Sequence, residues 1–166
     1  MTSSPIAPFP CFPARGSAED GLNVFRGVPY ALPPFGARSW RPPVAVPDST
    51  ALFAATRFGK ACPQPLRRKG SVYECFIEDK DADCLNLNIW APEGAKDLPV
   101  FVWIHGGNLL RGAGSEALTD GAALARRGQV VVTINYRLNV HGYLAHPELS
   151  AEMRSAWLQA WPSLNI

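Results

Sequence analysis

The sequence predicts an α/β fold: a mixed sheet with a parallel strand pair, preceded by a proline-rich N-terminal arm. Two almost wholly apolar runs, Pro99 to Ile104 and Val130 to Ile134, are typical of parallel strands that are buried on both faces. Between them, the segment from Thr119 to Gly128 has the pattern of a short helix. Strand, helix and strand in this order indicate a right-handed βαβ crossover.

Composition places the chain among globular proteins and excludes several other classes. Its 166 residues are 47% hydrophobic, and 16 Lys and Arg against 14 Asp and Glu give a net charge of +2. The one basic cluster, Arg67 to Lys69, is too small for a nucleic-acid footprint, and no apolar run approaches the roughly 20 residues of a membrane helix. The N-terminus has neither the basic nor the apolar region of a signal peptide. We therefore expect a cytoplasmic protein that has no membrane span and binds no nucleic acid.

Proline is concentrated near the N-terminus, where ten of the 16 prolines lie at or before Pro47. Because proline lacks an N–H group and fixes φ, it excludes helices and central strands from most of this region. We expect residues 1–21 to form an irregular arm. The segment from Leu22 to Val28 has the pattern of a strand, and we interpret it as the edge strand of a hairpin.

A half-buried strand is predicted where apolar and other side chains alternate from Leu85 to Trp90. The alternation places the leucine and isoleucine side chains on one face and Asn86, Asn88 and Trp90 on the other. A turn over residues 92–94, which are Pro, Glu and Gly, then ends the strand.

Two helices are predicted in the second half of the chain. The first is capped by Thr119 or Asp120, carries basic residues in its last turn and ends at Gly128. The second is amphipathic and covers Ala151 to Trp161, with Ser150 as its candidate N-cap.

The segment with the most chemical content is a glycine-rich loop, HGGNLLRGAGS, from His105 to Ser115. Its adjacent glycines, Gly106 and Gly107, let the backbone turn sharply and present N–H groups without interference from a Cβ atom. An oxyanion hole needs such rigidly held donors. A merely flexible loop is the alternative, but ligand sites in open α/β sheets lie at the carboxyl ends of strands, which favours a functional loop.

Five segments then occur in the order that one known family has. They are FRGVPYALPPFG (Phe25 to Gly36), ACPQP (Ala61 to Pro65), DADCLNLNIWAP (Asp81 to Pro92), VFVWIHGGN (Val100 to Asn108) and VVVTINYRLNVHGYL (Val130 to Leu144). Together they resemble the N-terminal part of the type-B carboxylesterase/lipase family, whose α/β hydrolases include the cholinesterases. The resemblance covers residues 22–149 and implies that residues 1–166 are a partial carboxylesterase domain, with a divergent terminal helix at 150–166.

The resemblance implies hydrolysis of small carboxylic esters by a triad of serine, histidine and an acid. It places the oxyanion-hole loop at Gly106, Gly107 and Asn108, with the N–H groups of the last two residues as donors. The family more often has glycine or alanine at the second of these positions. Asparagine still offers its backbone N–H and tolerates unusual φ and ψ values better than most residues. No cofactor and no metal are implied.

A nucleophile is not evident, because the chain contains no G-x-S-x-G segment. Ser115 is the nearest candidate but lacks the second glycine, and its order with Asp120 and His141 carries little weight. His141 and His146 have no third metal ligand at a recognisable spacing, so we interpret them as ordinary loop histidines. His105 could orient the loop or make only a structural hydrogen bond.

We therefore expect a chain of ester-hydrolase lineage that supplies the oxyanion half of a site and is inactive alone. The alternatives are a non-catalytic esterase-like binding module and an inactive truncated product. In the truncated product, the strand from Val130 to Ile134 would lack a neighbour and expose an apolar edge.

Two cysteines, Cys62 and Cys84, stand where the resemblance implies a disulfide. The absence of a visible signal peptide argues against oxidation, because the cytosol is reducing. We expect the two residues to lie close together, and we expect a disulfide between them with less weight.

Overall fold

The computed structural model describes residues 4–65, 77 and 79–152. The strands are β1 (Ile6–Pro8), β2 (Pro13–Arg15), β3 (Ser17–Glu19), β4 (Leu22–Pro29), β5 (Phe53–Ala54), β6 (Asn86–Pro92), β7 (Val100–Ile104) and β8 (Val130–Ile134). Two short helices, α1 (Ala122–Ala125) and α2 (Asn139–Tyr143), and two 3₁₀ turns, Gly36–Arg38 and Ala117–Thr119, complete the named elements, and residues 147–152 are helical.

The larger sheet has five strands in the order β3-β4-β6-β8-β7, and β1, β2 and β5 form a separate small sheet. The first three pairings of the large sheet are antiparallel, whereas β7 and β8 pair in parallel from Val100 opposite Val130 to Ile104 opposite Ile134. The mixed sheet with its parallel pair is thus as predicted. The hand of the crossover stays a prediction.

The N-terminal region is more ordered than expected, because β1, β2 and β3 lie within the predicted irregular arm. Pro8 and Pro13 stand opposite each other at the ends of the β1–β2 pair, where a missing N–H does little harm. The prediction of an edge strand at Leu22 to Val28 is also wrong. β4 pairs with β3 on one side and β6 on the other, although its hairpin with β3 is present.

Both faces of β4 carry core residues. Leu22 and Val24 pack in a cluster with Trp90, Ala125 and Val131. The opposite face packs in a second cluster, which consists of Phe12, Ala14, Phe25, Val28 and Ala55. The large sheet is therefore covered on both sides at this strand.

The burial of β6 differs from its prediction as a half-buried strand. The asparagine side of the alternation is the more buried one, since Asn88 and Trp90 are each 1% exposed. Leu87 and Ile89 are partly buried against the other cluster. The polar face can be buried because its amide groups are hydrogen-bonded to backbone and side chains from other segments.

The burial of β7 also contradicts the prediction. All five residues of β7 are exposed, by 37% to 62%, because the strand stands at the edge of the sheet and no described element other than β8 packs closely against it. The unpaired edge expected at Val130 to Ile134 is wrong for the same reason, since β8 lies between β6 and β7. The later strand, β8, therefore has an inner position in the sheet, and the earlier strand, β7, has the edge position.

The predicted helices are found in part. The N-cap of α1 is Gly121, so the prediction of Thr119 or Asp120 as the cap is wrong, although Oδ1 of Asp120 accepts a hydrogen bond from the N–H of Ala122 at 2.9 Å. Gly128 has a φ of +86° after the helix end. Ser150 is not an N-cap, because its N–H donates to the carbonyl of His146 within the helical residues 147–152. The rest of the helix predicted up to Trp161 lies outside the described residues. None of the described helices has the length and apolar character needed to cross a bilayer.

Candidate active site

The glycine loop begins where β7 ends, at the carboxyl end of the parallel strand pair. Gly107, Asn108 and Leu109 have φ values of +125°, +57° and +59°, so three consecutive residues have positive φ. A side chain at Gly107 would collide with the carbonyl oxygen of Arg111. Glycine is therefore required at this position, and Asn108 adopts a left-handed conformation that asparagine tolerates.

The first donor N–H is aimed by His105. In a planar trans peptide the C=O and N–H bonds point in opposite directions, so a bond to the Gly106 carbonyl orients the Gly107 N–H. Nδ1 of His105 lies 2.9 Å from the Gly106 oxygen and must carry a proton, because a carbonyl can only accept. The Gly107 N–H then points away from that bond and donates to no acceptor among the described residues.

His105 is itself held in place by Tyr136. The residue is 5% exposed, and its ring stacks on the Tyr136 ring with centroids 4.4 Å apart. The Tyr136 hydroxyl donates to the His105 carbonyl at 2.7 Å. Burial raises the pKa of Tyr136, which keeps this donor protonated.

The second donor N–H is aimed by the turn that follows. The carbonyl of Gly107 accepts hydrogen bonds from the N–H groups of Leu110 at 3.1 Å and Arg111 at 3.2 Å. The N–H of Asn108 belongs to the same peptide unit and points the opposite way. Among the described residues it, too, has no acceptor.

The far end of the loop is anchored by a buried polar network. The N–H of Gly114 donates to Oδ1 of Asn135 at 2.8 Å, and its carbonyl accepts from Oγ1 of Thr133 at 2.6 Å and Nδ2 of Asn88 at 3.2 Å. Asn88 also donates to Thr133 at 3.0 Å. The three side chains are at most 2% exposed. The glycine loop is thus tied to the central strands of the sheet.

Sequence reasoning missed Asn88, Thr133 and Asn135 as supports of the loop, and also Gln64, which contacts Gly112. The available signal was weak: polar residues interrupt strand patterns that are otherwise strongly apolar. Buried polar groups need partners, so such interruptions indicate hydrogen bonds to other segments.

The two cysteines lie together as buried free thiols. The N–H of Leu138 donates to Sγ of Cys62 at 3.1 Å. Interaction with the neighbouring Cys62 thiol, followed by burial, raises the pKa of the Cys84 thiol. The disulfide between them stays a prediction.

The other polar candidates are not brought together. Asp120 binds the first N–H of α1, His141 lies in α2, and no hydrogen bond in the described part of the chain joins either residue to Ser115. The prediction of His141 as a loop residue is wrong, because it lies in a helix. Across residues 4–65, 77 and 79–152, no three His, Cys, Asp or Glu side chains are grouped so that they could hold a metal ion.

Comparison with known proteins agrees with this arrangement. A model of the carboxylesterase family matches residues 13–154. Para-nitrobenzyl esterase of Bacillus subtilis is 42% identical over 132 residues, which are 78% of this chain and 27% of that protein. Phenmedipham hydrolase of Pseudarthrobacter oxydans is 42% identical over 149 residues, which are 87% of this chain and 30% of that protein.

Solved structures give the same result. A thermophilic PNB esterase has a TM-score of 0.78 and 32% identity, covering 95% of this chain and 35% of its own. A carboxylesterase of Geobacillus stearothermophilus has a TM-score of 0.74 and 40% identity, covering 84% of this chain and 27% of its own. The chain thus spans about a quarter to a third of the length of these proteins. The α/β-hydrolase fold class is confirmed, and the chain belongs to the carboxylesterase family.

Proposed function

We propose that this chain supplies the oxyanion hole of a serine-dependent carboxylic ester hydrolase, with the N–H groups of Gly107 and Asn108 as donors. One observation carries the proposal: the carbonyl of each donor's own peptide unit is already hydrogen-bonded on the opposite side. Both N–H groups are thereby oriented in advance, and within residues 4–65, 77 and 79–152 neither has an acceptor.

This orientation matches what ester hydrolysis needs. When a nucleophile attacks an ester carbonyl, the oxygen gains negative charge in the tetrahedral intermediate. Fixed N–H donors stabilise that charge without the cost of reorganisation, and each is worth about two to three orders of magnitude in rate. An N–H dipole interacts more strongly with a negatively charged oxygen than with a neutral carbonyl oxygen, so the donors favour the developing oxyanion over the ester.

The nucleophile is proposed to come from a segment outside these 166 residues, which hold no G-x-S-x-G sequence. In α/β hydrolases that sequence follows a strand of the same sheet. The exposed edge of β7, which leads directly into the glycine loop, is the place where we expect such a strand to pair. The proposed substrate class is a small carboxylic ester, as the name para-nitrobenzyl esterase suggests for one relative. A cytoplasmic location stays a prediction.

A chimera tests this proposal. Residues 13–152 would replace the matching segment of the Bacillus subtilis para-nitrobenzyl esterase, and hydrolysis of a nitrophenyl ester would be measured. We expect an active chimera and no turnover by the isolated chain. In the chimera, Gly107→Ala should lower kcat by about 10²- to 10³-fold, because the added Cβ collides with the Arg111 carbonyl and displaces the donors.

The control is Gly94→Ala in the turn after β6. Gly94 also has a positive φ, +70°, but an added Cβ would meet nothing within 4 Å. It therefore reports the cost of backbone strain alone. Equal kcat values for the two variants, after thermal melts show both folded, would contradict the proposal. Turnover by the isolated chain that Ser115→Ala abolishes would contradict it as well.

A further inference from the structure

We propose that Gln64 is a positioning residue of the glycine loop: it fixes Gly112 and, through Gly112, the peptide that carries the Gly107 N–H. This inference rests on the proposed function, because it assigns Gln64 to the support of the same oxyanion donors. Gln64 would touch neither the ester nor the nucleophile.

The Gln64 amide holds Gly112 at two points. Its Oε1 accepts from the Gly112 N–H at 2.8 Å, and its Nε2 donates to the Gly112 carbonyl at 2.9 Å. Nε2 also donates to the carbonyl of Cys62 at 3.0 Å. The side-chain amide has a donor and an acceptor at the spacing of a backbone N–H and C=O, so Gln64 holds Gly112 much as a neighbouring strand would.

Gly112 in turn packs against the groups that aim the first donor. It has a φ of +119°, and a Cβ there would collide with Nδ1 of His105 and lie 2.5 Å from the Gly106 oxygen. These two atoms form the hydrogen bond that orients the Gly107 N–H. A shift of Gly112 must therefore disturb this bond.

The segment that carries Gln64 is held before it reaches the loop. The N–H of Leu138 donates to Sγ of Cys62, and Nδ2 of Asn139 donates to the Pro63 carbonyl at 2.6 Å. The N–H of Asn139 also donates to the carbonyl of Leu109 at 2.7 Å. Leu138 and Asn139 thus fix both the segment that carries Gln64 and the part of the glycine loop at Leu109. The contact of Gln64 with Gly112 is therefore preorganised.

Amide spectroscopy of the full chain tests the proposal. In ¹⁵N-labelled protein, Gln64→Leu keeps the side-chain size but removes both bonds to Gly112. We expect hydrogen exchange of the Gly112 amide to accelerate at least tenfold and the Gly107 and Asn108 signals to shift, while the amides of β4 stay unchanged. The matched control is Gln129→Leu, which alters a half-buried glutamine before β8 and should leave the loop signals in place.

A second variant gives amide signals that depend on pH, which they would not do if Gln64 only filled space. In Gln64→Glu, a protonated carboxyl can donate to the Gly112 carbonyl and accept from its N–H, whereas an ionised one cannot donate. We expect native-like Gly107 and Asn108 signals at low pH and displaced signals above the carboxyl pKa. Among the described residues, the ring of His105 lies against Gly112, and Cys62 binds Nε2 of Gln64 through its carbonyl. Because both residues are titratable, the unmodified chain must be titrated in parallel.

Loop signals that remain native in Gln64→Leu, or that do not follow the carboxyl titration in Gln64→Glu, would overturn the role of Gln64. Uniformly faster exchange in all strands of Gln64→Leu would also overturn it, since that result indicates only a loss of global stability. None of these measurements needs ester turnover. Failure of the esterase proposal would therefore be seen in the chimera, and failure of the Gln64 proposal in the amide signals.

Discussion

The neighbouring strands β7 and β8 have nearly the same apolar sequence, VFVWI and VVVTI, but very different surroundings. Every residue of β7 is at least 37% exposed, whereas Val131 and Thr133 of β8 are 2% and 0% exposed. β8 lies between two strands, and β7 has β8 on one side only. Apolar composition therefore predicts that a segment is a strand, but not whether other residues of the chain bury it.

The difference between the two strands also identifies β7 as an edge of the sheet that is open to a further strand. An exposed, apolar edge strand is a template for pairing with another strand. The chain spans only 27% to 35% of the relatives compared with it, and their structures superpose on most of it. β7 is accordingly the edge at which we propose that the nucleophile-bearing segment pairs.

The largest expected effect is on the free energy of unfolding, when the same substitution is made in the buried part of the sheet and on the exposed strand β7. Trp90 is 1% exposed in the cluster between β4, β6 and β8, whereas Trp103 on β7 is 37% exposed. In the 166-residue chain, Trp90→Ala should lower the free energy of unfolding by about 3–5 kcal/mol and Trp103→Ala by less than about 1 kcal/mol. Urea unfolding measures both.

In the chimera, where the proposed segment covers β7, the cost of Trp103→Ala should rise to about 3 kcal/mol or more. A small cost there would contradict the pairing of a strand at this edge. Equal costs of the two substitutions in the isolated chain would contradict the difference in burial itself.

A smaller effect is expected from a hydroxyl on β8. The Thr133 hydroxyl accepts from Asn88 and donates to Gly114, so Thr133→Val keeps the shape but leaves one buried N–H of the Asn88 amide without its acceptor. The Gly114 carbonyl loses the shorter of its two hydrogen bonds and keeps the one from Asn88. We expect a loss of about 1–3 kcal/mol in the free energy of unfolding and faster exchange of the Gly114 amide. The control is Thr119→Val, because the Thr119 hydroxyl donates only to the Glu116 carbonyl in a surface turn. Equal losses would argue against the buried network as the anchor of the loop.

Much of the large sheet could be predicted because its signals are local. Apolar runs, alternation and turn residues lie within a few positions of each other, and they correctly predicted β6, β7, β8 and the turn after β6. The glycine loop was evident for the same reason, since a strand followed by two glycines is a local pattern.

The supports of the loop could not be predicted because their partners are distant in sequence. Gln64 reaches Gly112, which lies 48 positions away, and Asn135 bonds to the Lys60 carbonyl across 75 positions. A polar residue in a strand pattern is expected to face solvent until its partner is known. Residue Asn88 illustrates this, since its amide faces the core and binds the backbone of Gly27 and Gly114.

The smallest expected effect is a pH dependence at Tyr30, whose hydroxyl donates at 2.8 Å to the carbonyl of Asn135, the residue that follows β8. Burial, as the main cause, raises the pKa of Tyr30 from 10.0 to about 12. In the unfolded chain the hydroxyl ionises near pH 10, so the unfolded state gains stability between about pH 10 and 12 while the folded state still holds its proton. The contribution of Tyr30 is therefore fully present below pH 10 and is lost as pH rises towards 12.

Tyr30→Phe should remove this loss, because phenylalanine does not ionise, at the cost of one hydrogen bond worth about 1 kcal/mol at neutral pH. The difference in unfolding free energy between the unmodified chain and Tyr30→Phe should thus shrink from pH 9 to pH 12 in urea titrations. Other groups that ionise in this range contribute equally to both proteins. If the difference in unfolding free energy between Tyr30→Phe and the unmodified chain stayed constant with pH, that result would contradict the buried contact of the Tyr30 hydroxyl with the Asn135 carbonyl.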